Sequence, residues 1–132
     1  MSSSIIGTWR LAGGTATFED GTPAPPPYGG AKAMGRITLN GDGRMIAVLC
    51  DGRATLPEGV AREYSSYCGN YTFDGERLIT SVDATSDPGR LSGDQIRHVS
   101  FEGGYMVFRH TTRRADGRRV HREMSWEKIA DD

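Results

Sequence analysis

The chain has 132 residues, a net charge of −1 at pH 7 and a charged fraction of 25%, which suits one domain spanning 1–132 and supplies no overall pull toward nucleic acid or acidic membranes. An apolar fraction of 36% with 18 glycines points to many turns around a thin, sheet-based core. There is no apolar run long enough for a membrane helix, no basic-then-apolar leader, and no metal-type spacing of Cys50 and Cys68, so a cytoplasmic protein with two reduced thiols is expected.

Residues 5–11 (Ile-Ile-Gly-Thr-Trp-Arg-Leu) alternate, placing Ile5, Gly7, Trp9 and Leu11 on one strand face with the indole toward the core. Gly13-Gly14 permit a bend before 15–19 continue the strand. Pro23, Pro25, Pro26 and Pro27 then precede Tyr28-Gly29-Gly30. Prolines cannot donate to a ladder, so 20–30 is a stiff extended loop, either a lid over a barrel mouth or a plain connector.

Residues 35–40 and 44–50 alternate around Gly41-Asp42-Gly43, a hairpin with Leu39 opposite Met45, Ile37 opposite Ala47 and Gly35 opposite Leu49. Thr55-Leu56-Pro57-Glu58 has the spacing of a capping box, and Val60, Tyr64 and Tyr67 fall at i, i+4 and i+7. A short helix plugging one barrel end is therefore expected, giving way to strand by Cys68. Asp74-Gly75 predict a two-residue turn joining 67–73 to 76–84, with Tyr71 facing Leu78, Gly69 facing Thr80 and Tyr67 facing Val82.

Residues 85–93 are polar and carry glycine and proline, hence a loop. Strands resume at 94–102 and 105–113 around Gly103-Gly104, and a last hairpin turns at Asp116-Gly117 into 119–129. The sum is all-β, eight antiparallel strands in nearest-neighbour order with one short helix. That pattern suggests an up-and-down sandwich or barrel, and closure into a barrel is the usual way to remove exposed edges.

Gly7-Thr8-Trp9 resembles the Gly-x-Trp signature of lipocalins, whose indole closes the barrel floor. The segments Pro27-Tyr28-Gly29, Gly35-Arg36-Ile37-Thr38, Asp42-Gly43-Arg44-Met45, Tyr67-Cys68-Gly69-Asn70-Tyr71, Gln95-Ile96-Arg97 and Trp126-Glu127 are similar, in that order, to the lipocalin-like domain family of small, often bacterial proteins. The resemblance covers almost the whole chain and implies an eight-stranded meander barrel with an interior ligand cavity. The Thr-Asp-Tyr motif of larger lipocalins is absent, and Thr80-Ser81 stand where related domains often carry a His pair.

Strand parity puts Leu39, Met45, Leu49, Phe73, Val99, Phe101, Met106, Phe108, Met124 and Trp126 inside as candidate ligand contacts, in a barrel size that is either filled by side chains or holds one small ligand. Tyr71, Thr80, Arg97, His110 and Arg122 are the polar residues of inward parity. With a two-residue Gly103-Gly104 turn, Arg97 lies opposite His110, and the guanidinium disfavours imidazolium. Arg97 is then a candidate anchor for a carboxylate, enolate or phenolate, His110 a hydrogen-bonding partner or general base, and Tyr71 a donor. The structural alternative has Arg97 packed over Trp9 as a cation–π closure and His110 as a satisfied core residue.

His98 and His121 face outward, and Asp51 and Glu63, near strand or helix ends, could reach the mouth but are expected to be exposed, so neither a zinc site nor paired-carboxylate chemistry is expected, and no cofactor. The arginines around 116–117 read as a charged, solvated edge. The leading functional expectation is a binding protein, monomer or homodimer, for a small hydrophobic or aromatic molecule, with no nucleic-acid or membrane partner. The alternatives are a cofactor-independent isomerase, cyclase or hydratase using the same cavity on a polyketide-like or aromatic substrate, and an interaction module using the proline loop or the arginine hairpin.

Overall fold

The computed structural model describes residues 4–131. Eight antiparallel strands close into a barrel in chain order: β1 (Gly7–Phe18), β2 (Ala33–Leu39), β3 (Arg44–Asp51), β4 (Tyr64–Phe73), β5 (Arg77–Thr85), β6 (Asp94–Glu102), β7 (Tyr105–Arg113) and β8 (Arg119–Ala130). The period-two pattern decides which side is core: in β3, Met45, Ala47 and Leu49 are buried while Ile46 and Val48 face out. β1 bonds to both β2 and β8, and irregularities between Leu11 and Gly13 let one strand serve both neighbours.

The β2–β3 hairpin has the expected register, and Glu102 pairs with Tyr105 across the two-residue Gly103-Gly104 turn. The β4–β5 pairing is shifted by two from the sequence expectation next to the turn, where Phe73 faces Leu78, Tyr71 faces Thr80 and Gly69 faces Val82, and by three at Tyr67, which faces Thr85. The Asp74 carboxylate accepts the amides of Glu76 and Arg77, making a wider turn than Asp74-Gly75 alone. A bulge between Cys68 and Gly69 takes up the extra residue, and a Cβ on Gly69 would sit 1.9 Å from the Ser81 carbonyl oxygen. A two-residue shift preserves parity, so the faces stay as assigned.

No helix forms over 55–67. Gly59 takes φ +78, and the segment's hydrogen bonds run across the chain: the Asp51 amide donates to the Glu63 carbonyl, and the Arg62 guanidinium donates to the carbonyls of Asp51 and Arg53. Val60 and Tyr64, expected on a buried stripe, are exposed. The short 3₁₀ turns lie elsewhere, at Pro27–Lys32 and Pro88–Arg90.

One end of the barrel is a packed floor. Trp9 is 3% exposed and donates its indole N–H to the Ile5 carbonyl at 3.0 Å, with Phe101 against its ring. The cation over that ring is Lys128, 5.1 Å from its centroid, not Arg97. At the other end the proline loop folds inward. Pro27 and Tyr28 are buried, and Gly29, at φ +82, passes so close to Asp51 that a Cβ would lie 2.4 Å from its carboxylate. Ala24 packs with Ala16, Phe18 and Val120 in a second small core outside the lumen. Cys50 and Cys68 are free thiols. Among the described residues no helix is long and apolar enough to cross a membrane.

Candidate functional site

A cavity of about 590 Å³ occupies the lumen toward the mouth, under the proline loop and the loops after β3 and β5. Its apolar depth is Leu49, Val82, Phe108, Met124 and Trp126. Phe108 and Trp126 are almost fully buried, with ring centroids 5.7 Å apart. Its polar side carries Tyr28, Glu63, Arg90, Arg97, His110 and Arg122.

Four of the ten expected apolar contacts therefore meet at the cavity: Leu49, Phe108, Met124 and Trp126. The other six lie toward the floor. Leu39, Met45, Val99 and Met106 are in the buried cluster with Trp9, and Phe73 and Phe101 pack against its edge. Arg97 and His110 both line the cavity, just beyond the last β6–β7 pair, His98 with Arg109. Tyr71 does not join them: its hydroxyl donates to the Asn40 carbonyl at 2.6 Å, beside the β2–β3 turn at the floor end. Inward parity names a face of the barrel but not a height along it.

Asp51 corrects another expectation, while Glu63 reaches the mouth with its side chain 40% exposed. Asp51 is 1% exposed and bound by Arg53, whose Nη2 lies 2.6 Å from Oδ2. The Arg53 side chain, donating to that carboxylate, holds it at about 2. Glu63 turns into the mouth, accepts the Tyr28 amide at 2.8 Å and pairs with Arg122, also at 2.8 Å. Two loops and β8 are thereby tied at one carboxylate. Sequence reasoning passed over Tyr28 and Arg90 as site residues; the signal for Tyr28 was its place between a proline run and Gly29-Gly30, where a side chain must be held by the loop's own stiffness.

The electrostatics of the mouth are dominated by guanidinium groups. Burial first, then the charges of Arg97, Arg122 and Arg90, pull the His110 imidazole down to about 3, so it is neutral at pH 7. Burial, and then Glu63, push the Tyr28 phenol above its ordinary range. Arg122 is answered by Glu63, and Arg90 donates to the Ser65 hydroxyl and lies over the Tyr67 ring. Arg97 donates only to the Ile96 carbonyl, and among the described residues no carboxylate lies within ion-pair distance of it.

Three buried polar atoms of cavity-lining residues have no protein partner: His110 Nδ1, Trp126 Nε1 and Gln95 Oε1. Each such atom costs about 1–3 kcal/mol unless something in the cavity bonds to it. The site can thus accept a molecule with an apolar body, accept a hydrogen bond from it at Gln95, and donate one from Trp126. No group of three or more His, Cys, Asp or Glu side chains suited to a metal ion occurs among the described residues. Comparison with protein-family models, curated proteins and solved structures finds no match for this chain.

Proposed function

We propose that this chain is a lipocalin-like, cytoplasmic binding protein that holds a small hydrophobic or aromatic molecule in the mouth half of the lumen. The observation that carries the reading is the cavity of about 590 Å³ with Phe108, Met124 and Trp126 on its apolar side and unpartnered polar atoms beside them. That volume lies in the range of small-molecule sites, which are mostly apolar with a few placed polar groups. The test is a thermal-shift and intrinsic-fluorescence screen against aromatic metabolites and fatty acids. Saturable quenching with a raised midpoint supports the reading, and a flat response across the panel contradicts it.

A second reading, cofactor-independent isomerase, cyclase or hydratase chemistry, draws on one feature: Arg97 and His110 line the same cavity, where the guanidinium can stabilise negative charge developing on a substrate and the imidazole, held at about 3, serves as a hydrogen-bond acceptor and a weak base. Tyr71 has no part in it, and the phenol at the site is Tyr28. Turnover of aromatic or polyketide-like substrates unchanged in His110→Ala would remove His110 from such a mechanism.

A further inference from the structure

We infer that the molecule held in this lumen is a carboxylic acid on a flat apolar body, and that its carboxylate sits against Arg97 at a slot in the barrel wall between β6 and β7. This rests on the lumen-binding reading and adds to it the ligand's charge and its position.

The slot follows from the ladder. β6 and β7 pair from Glu102 with Tyr105 to His98 with Arg109, and the pairing stops there. Both strands continue: 94–97 remain bonded to β5, and 110–113 remain bonded to β8. In an intact sheet a side chain faces one surface only. Here Arg97 and His110, of inward parity, and Ile96 and Thr111, of outward parity, line both the lumen and a second cavity of about 760 Å³ on the outer face of the barrel. The wall is open between them, and Arg97 stands at the opening.

Charge decides what the opening admits. Of the three lumen arginines, Arg122 is held by Glu63, while Arg90 and Arg97 face no carboxylate within ion-pair distance among the described residues. The remaining acids at the rim do not answer them. Asp87 and Asp94 also line the cavity, but the Asp87 carboxylate accepts the Gly89 amide, Asp94 is exposed, and neither lies within ion-pair distance of Arg90 or Arg97. Outside the slot, Arg109 is already paired with Glu102 and Glu123. A half-buried guanidinium without an anion is costly, and its planar fork matches a carboxylate. A monoanion suits one free guanidinium with a second nearby. The body attached to it meets Phe108, Met124 and Trp126, which favour a flat apolar group.

Isothermal titration of the full chain with 2-naphthoate and with 2-naphthamide, matched in shape and differing in charge, tests this. The acid should bind the wild type about tenfold or more tighter than the amide, the advantage of a charge-assisted pair. In Arg97→Gln that ratio should fall to within about threefold of one, and Arg97→Lys should retain part of it, with circular dichroism reporting the fold of both. Equal binding of acid and amide by the wild type, or an undiminished preference in Arg97→Gln, overturns the inference and leaves the lumen reading standing. Binding of neither compound contradicts the lumen reading itself.

Discussion

His110 makes the stability of this barrel depend on pH between about pH 7 and about pH 5, above the ordinary carboxylate range. In the folded chain the imidazole is held at about 3 against an ordinary 6.5. A histidine with a lowered folded value binds fewer protons native than unfolded, so stability is whole above 6.5 and is lost progressively as pH falls toward the folded value. Between about pH 7 and about pH 5 the unfolded His takes up its proton while the folded one does not, which removes about 2 kcal/mol. Aspartate and glutamate side chains, with ordinary values near 4, contribute little over that interval. The assay is urea unfolding at both pH values for the wild type and His110→Gln. Comparing each protein with itself cancels any packing loss in the variant. The wild type should lose about 2 kcal/mol on acidification and the variant markedly less. An equal loss in both, or none in the wild type, would show that the imidazole is not held neutral by its surroundings.

Other expectations follow from the same contacts. Asp51→Asn leaves the Arg53 fork without its charge partner at a residue that is 1% exposed; a loss of about 1–3 kcal/mol is expected by denaturant titration. The wild-type contribution from that carboxylate, held at about 2 against an ordinary 3.8, should persist above 3.8 and disappear as pH falls through the folded value. Tyr71→Phe removes a hydrogen bond at the floor end, so it should cost less than about 1.5 kcal/mol and leave lumen binding unchanged. Weakened binding in that variant would restore Tyr71 to the site. Trp9→Ala empties the floor and should cost about 3–5 kcal/mol in unfolding experiments, with binding lost only through unfolding.

Much of the barrel was legible because alternation and turn residues are local signals. Leu39 opposite Met45 and Glu102 opposite Tyr105 needed only Gly41-Asp42-Gly43 and Gly103-Gly104. The β4–β5 register slipped by two because the Asp74 carboxylate, accepting the amides of Glu76 and Arg77, widens the turn, and by one more beyond the bulge before Gly69, which depends on how closely Ser81 approaches. The helix expected over 55–67 had the right cap and spacing, but the Glu63 carbonyl accepts the Asp51 amide and the Arg62 side chain reaches the carbonyls of Asp51 and Arg53. Long-range bonds there outweighed a marginal local preference. At the site, Arg97 beside His110 followed from one hairpin, whereas Glu63 with Tyr28 and Arg122 joins three distant segments. No spacing rule links such residues. The split beyond His98 and Arg109 was likewise hidden, since nothing in either strand's alternation marks where the ladder ends.

The lumen claim is tested most directly by the two indole N–H signals in an ¹H–¹⁵N spectrum during titration with 2-naphthoate. Trp126 Nε1 belongs to a cavity-lining residue and has no protein partner, while Trp9 Nε1 is bonded to the Ile5 carbonyl at the floor. A saturable shift of the Trp126 signal with the Trp9 signal unmoved is the predicted result. A stationary Trp126 signal, or equal movement of both, would contradict a ligand site in the mouth half of the barrel.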